Sequence, residues 1–77
     1  MTLRILTPSS QETHQADAVF LPGAAGAFEV LKGHAPLIST LEAGKVRWRG
    51  EDGENSLGIT SGVVRVLDDV ITVCAEI

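Results

Sequence analysis

Tyrosine is absent from this 77-residue chain, and cysteine and tryptophan occur once each. The lone Cys74 excludes an internal disulfide, and one Cys with two histidines, His14 and His34, cannot complete a closed four-ligand zinc site. A core of this size alone supplies no more than about 3–5 kcal/mol. With covalent and metallic staples excluded, the chain needs a well-made small core, a partner surface that completes its burial, or both. A solitary cysteine also fits a reducing compartment better than a secreted one.

Positive charge is in deficit as well, with six Lys and Arg against ten Asp and Glu and a net charge of −4. Nucleic-acid binders need a basic patch to displace phosphate counterions, so no nucleic-acid partner is expected. The start has no basic segment followed by an apolar stretch, and no apolar run is long enough to span a bilayer. A water-soluble domain is expected, one that can still sit on a membrane complex.

What is present is the rhythm of short strands, with apolar residues alternating or in brief bursts and Gly or Pro interrupting them every few positions. Leu3, Ile5 and Thr7 alternate with Arg4 and Leu6, giving a strand at about Thr2 to Thr7 that Pro8 closes. Further strands are expected at Ala18 to Leu21, Ala27 to Leu31 and Leu37 to Leu41. From Gly44 to Gly50 the alternation is clean, with Lys45, Arg47 and Arg49 on a wet face and Val46 and Trp48 on the inner one. Glu51, Asp52, Gly53 and Glu54 read as a hairpin loop, after which Leu57 and Ile59 return inward. Val63 to Leu67 and Val70 to Ala75, separated only by Asp68 and Asp69, make a closing hairpin. The pattern predicts a single all-β domain, a small antiparallel sandwich or barrel.

Chemistry is sparse. No serine lies in a Gly-x-Ser-x-Gly elbow, and two histidines leave few candidate bases for hydrolysis. Cys74 sits in an apolar strand and reads as a small buried hydrophobe. The acidic Glu51, Asp52 and Glu54 lack the spacing and closing bidentate Glu of a calcium loop and read as a solvated hairpin tip. The row of Lys45, Arg47 and Arg49 could grip phosphates or a partner, but on an exposed strand such a row more often faces water. Gly23 to Gly26 lacks the following helix and ribose-binding acid of a dinucleotide fingerprint, so it is a turn. No catalytic residue, cofactor, metal or small-molecule ligand is expected.

One segment stands apart: LPGAAGAFEVLKGHAPLISTL, from Leu21 to Leu41. Gly33 permits a positive φ and Pro36 pushes Ala35 toward extended geometry, so the chain turns sharply and presents His34 near a rim. A structural histidine bonded to its own loop is the other reading. The segment resembles the hallmark of the ATP synthase epsilon subunit family, a Leu-Pro-Gly turn before a Gly-x-Phe strand and a Gly-His-Ala-Pro-Leu loop. Leu41, Gly44 and Val46 resemble the family's next strand. Ile59, Gly62, Val66, Val70, Thr72, Val73, Ala75 and Glu76 resemble its closing hairpin, and Leu3 to Pro8 its first strand.

The resemblance implies a sandwich of about ten short strands in two sheets. It also implies a non-catalytic rotor-stalk role, fastening the gamma subunit to the membrane ring of c subunits in a proton-driven synthase. It puts the protein peripherally on the cytoplasmic side of the bacterial inner membrane. The implied ring contact comprises Gly23, Gly26, Glu29, Lys32, Gly33, His34 and Pro36. Departures from the family pattern are Glu12 and His14 where Phe and Gly are frequent, Ala27 where the family commonly has a ring-facing acid, Glu29 in place of Gly, and Lys32 in place of a frequent Pro. Many family members continue into a two-helix hairpin that can act as a brake, whereas these 77 residues stop at Ile77. If they are the whole subunit, coupling without inhibition by an extended arm is expected. A lipoyl or biotinyl carrier, the alternative of similar size, needs a lysine at a hairpin tip flanked by Asp or Met, and neither Lys32 nor Lys45 has those flanks.

Overall fold

The computed structural model describes residues 1–77. It contains nine strands and no helix: β1 (Thr2–Leu6), β2 (Gln11–Gln15), β3 (Ala18–Leu21), β4 (Phe28–Leu31), β5 (Leu37–Leu41), β6 (Gly44–Gly50), β7 (Gly53–Ile59), β8 (Ser61–Leu67) and β9 (Val70–Glu76). They form two sheets, ordered β2-β1-β9-β8-β5 and β4-β3-β6-β7. An isolated antiparallel bridge joins Gly23 to Leu41. The all-β sandwich read from the sequence is therefore present, with nine strands against about ten.

Period-two alternation sets which residues meet between the sheets. Leu3 and Ile5 of β1, Ile71 and Val73 of β9 and Val64 and Val66 of β8 point inward from the five-stranded sheet. Val30, Val19, Leu21, Val46, Trp48 and Ile59 meet them from the four-stranded sheet, in one continuous core. Trp48 is 5% exposed, as its alternation with Lys45, Arg47 and Arg49 predicts.

Two expectations need correction. Cys74 is exposed, because β9 alternates strictly: Ile71, Val73 and Ala75 face the core, while Val70, Thr72, Cys74 and Glu76 face out. The sandwich is not wholly antiparallel either. β1 pairs with β2 antiparallel on one side and with β9 parallel on the other, Thr2 opposite Val70 and Leu6 opposite Cys74. Strand β2 was not expected; its residues Gln11 to Gln15 are nearly all exposed.

Candidate functional site

The Leu21–Leu41 segment is built from two turns and a short strand. Gly23 donates its N–H to the Leu21 carbonyl at 3.0 Å, closing a three-residue turn around Pro22, whose fixed φ suits it. Gly26 then donates to Gly23 at 3.0 Å. A Cβ on Gly23 would lie 2.6 Å from the Gly26 carbonyl oxygen and 2.8 Å from the Phe28 ring, so only glycine fits. Ala24 donates to Thr40 and Glu42 to Pro22, at 3.0 and 2.9 Å, stitching this loop onto the end of β5 in the other sheet. At the far end of β4, His34 donates its N–H to Leu31 at 3.1 Å around Gly33, whose φ of 82° suits the third position of a type II turn.

The residues expected to act together do not form one cluster. Gly23 and Gly26 precede β4, whereas Lys32, Gly33, His34 and Pro36 follow it, and a four-residue strand separates the two groups by roughly 13 Å. Glu29 lies between them on the outward face of the four-stranded sheet, opposite Phe20. His34 is exposed, and its Nδ1 lies 2.7 Å from the Ala35 carbonyl oxygen, so the ring bonds to its own loop. Lys32 is exposed in the turn after β4, and Lys45 lies within β6 rather than at a hairpin tip.

The outward face of the five-stranded sheet is the feature that sequence reasoning missed. Across it run Val70 and Leu67, then Arg4, Thr72, Arg65 and Ile38, then Leu6, Cys74, Val63 and Thr40, as the strand registers dictate. Three of the five exposed large apolar side chains of the protein stand here: Ile38 at 74%, Val63 at 44% and Leu67 at 43% exposure. Pro36, Ile38, Arg65 and Leu67 line an apolar groove of about 390 Å³ along β5. The face carries two arginines and, apart from Glu76 at its margin, no carboxylate, in a chain whose net charge is −4. The signal was available in β8, where Val63 and Leu67 alternate with Val64 and Val66, so both faces of the strand are apolar.

On the opposite sheet, Lys45, Arg47 and Arg49 face outward. Arg47 stacks 4.7 Å above the Phe20 ring and donates to Glu54 Oε1 at 3.0 Å, so the middle of the row is engaged internally. A third region, a polar cleft of about 510 Å³, lies between the β2 and β7 edges and is lined by His14, Trp48, Asp17 and Asp52 among others. His14 Nε2 is 3.0 Å from Glu12 Oε1 there. No three His, Cys, Asp or Glu side chains gather to hold a metal ion.

These features define a class: a two-sheet β-sandwich whose distinctive parts are an outward sheet face and the loops at its ends, an arrangement suited to docking. The family description "ATP synthase, Delta/Epsilon chain, beta-sandwich domain" matches residues 1–77. The chain belongs to that family. It is 34% identical over 76 residues to an ATP synthase epsilon chain of Desulfitobacterium hafniense, covering 97% of this chain and 58% of that one. To the epsilon chain of Campylobacter lari it is 42% identical over 79 residues, covering 99% and 60%. It therefore spans less than two thirds of the length of these relatives. Among solved structures, a chain of the Tetrahymena thermophila mitochondrial ATP synthase central stalk and c-ring has a TM-score of 0.84 at 13% identity, covering 100% of this chain and 63% of that one. A chain of the Euglena gracilis mitochondrial ATP synthase gives 0.86 at 21% identity, covering 95% and 48%. At these identities the likeness is one of fold.

Proposed function

We propose that the chain serves as the sandwich portion of an ATP synthase epsilon subunit, a non-catalytic piece of the rotor stalk that fastens gamma to the ring of c subunits. The observation that carries this reading is the family match over all 77 residues. In this role the protein is peripheral, held on the cytoplasmic side of a bacterial inner membrane through the complex, and proton flow through the ring supplies the torque it transmits.

The outward face of the five-stranded sheet is the gamma-docking surface. An exposed apolar field with arginines and almost no acid suits a protein partner that brings apolar and acidic side chains, since opposite charge steers encounter and apolar burial supplies affinity. Lys32, Gly33, His34 and Pro36 border this face, Pro36 lining its groove. Gly23, Gly26 and Glu29, at and near the other end of β4, make the ring contact. In this reading the expected single contact is shared between two partners.

The test is reconstitution. Catalytic head carrying gamma, ring-containing membranes and this chain are combined, and ATP-driven proton pumping is measured with binding to each component. Restored coupling with the chain bound to both supports the proposal. A chain that binds neither gamma nor the ring, and leaves coupling as it was, overturns it.

A further inference from the structure

A two-residue hairpin whose central residues both have positive φ is the natural place for Asn-Gly or Asp-Gly, because a Cβ in the left-handed region crowds the following carbonyl. The β8–β9 turn instead holds Asp68 at φ 50° and Asp69 at φ 63°. Neither is glycine, and the two carry like charges side by side. Strain of this kind persists where surrounding structure holds it, and it is often tied to function.

At Asp69 the surrounding structure is visible. Its Oδ1 accepts the Gly33 N–H at 2.9 Å, between residues 36 apart in the sequence. Its backbone carbonyl accepts the Thr2 N–H at 3.0 Å. One half-buried residue therefore fastens the start of β1, the β8–β9 turn and the turn after β4. Gly33 could not hold the turn through its own side chain, having none. Three residues further on, Pro36 stands beside Leu67 in the wall of the apolar groove along β5.

We propose that Asp69 is a positioning residue: its carboxylate latches the Lys32–Pro36 loop to the β8–β9 turn and so sets the Pro36 wall of the docking groove. The inference rests on the docking role given above to this face. It accounts for the strained aspartate, since glycine would satisfy the turn and lose the latch. Asn can also occupy the left-handed region, and its amide oxygen can accept the same hydrogen bond, so it should preserve the latch.

The experiment compares wild type with D69G, D69N and, as a control that relieves strain and keeps the latch, D68G. Gly33 amide exchange is read by NMR, and affinity is measured for catalytic head carrying gamma. D69G is free of the positive-φ strain, so any lost binding cannot be put down to a turn that no longer forms. In D69G, Gly33 exchange should speed up and affinity should fall, each by roughly two- to tenfold, the range for one solvent-exposed hydrogen bond. D69N and D68G should stay close to wild type in both. An unchanged Gly33 amide in D69G overturns the latch. A released Gly33 with unchanged affinity overturns the positioning role, while the stalk reading survives if I38E abolishes binding. Wild type that does not bind at all overturns the stalk reading, and the positioning role with it.

Discussion

The His14 ring lies 4.7 Å from the Trp48 ring, tilted 33° to it, although the two residues belong to different sheets. His14 stands on the edge strand β2 and faces inward because it pairs with Leu3, which is buried. The imidazole thus caps the open edge of the sandwich over the indole, and Glu12 holds it there.

Trp48 is therefore a core residue with a lid. Trp48→Ala should lower unfolding free energy by about 3–5 kcal/mol, the usual range for deleting a buried aromatic, which is most of what a core of this size supplies. Urea titration followed by circular dichroism measures the loss. Wild-type fluorescence should be blue-shifted and should move red on unfolding. An unchanged midpoint in the alanine variant would mean that the indole is not part of the core.

Cys74 should behave as a surface thiol. Ellman's reagent should react with it in the native protein at a rate close to that in denaturant, and Cys74→Ser should shift stability by no more than about 0.5 kcal/mol, as for ordinary surface changes. Labelling that waits for global unfolding would contradict the outward face of β9. A bulky maleimide on Cys74 should also weaken gamma docking, since the thiol lies between Leu6 and Val63 on the proposed surface.

Two glycines should respond in opposite ways to a methyl group. Gly23→Ala drives a Cβ into a carbonyl oxygen and the Phe28 ring, and overpacking of this kind costs about 1–3 kcal/mol. Gly58, in β7, has no atom within 4 Å of where a Cβ would sit. Gly58→Ala should be neutral or stabilise by up to about 1 kcal/mol, because it removes unfolded-state freedom. Thermal melts of the two variants side by side decide the matter, and equal losses would contradict the packing described here.

Charge placed on the outward face should separate docking from folding. Ile38→Glu and Arg65→Glu alter side chains that contribute little to the core, so the melting curve should hardly move. Gamma binding should fall by tenfold or more if these residues lie near the centre of the interface, where a truncated anchor costs about 2 kcal/mol or more. Full binding by both variants would assign docking to another surface.

Much of this architecture was legible where alternation or turn chemistry was strong. Ala18–Leu21 and Leu37–Leu41 fall at the expected bounds, and Asp68 with Asp69 forms the expected tight turn. Strand β2 was illegible because Gln11 to Gln15 contains no apolar residue. An edge strand recruited by the backbone of β1 carries no hydrophobic period to read. Cys74 was misread because Thr72 was the only polar residue among Val70 to Ala75, so a strand wet on one face looked buried on both. The candidate loops were legible from Gly23, Gly26, Gly33 and Pro36, and so was the strand that holds them apart, expected at Ala27 to Leu31 and present at Phe28–Leu31. The full extent of the outward apolar face emerges only when β1, β9, β8 and β5 are brought into register, although β8 alone already carries apolar residues on both of its faces.

The parallel pairing of β1 with β9 puts the first strand of the sandwich beside its last, with β9 at the centre of the five-stranded sheet. As the polypeptide leaves the ribosome, Leu3 and Ile5 must wait, uncovered, until Ile71 and Val73 emerge. Hairpins such as β6–β7 can form early from neighbouring residues, but the seam between β1 and β9 closes only after nearly the whole sandwich has been synthesised. Non-local closure of this kind is slow, in the range of milliseconds to seconds for β-rich domains. The newborn sandwich therefore passes through an interval in which β1 has β2 on one side and an open edge on the other, and apolar surface beside an unpaired edge favours aggregation until β9 arrives.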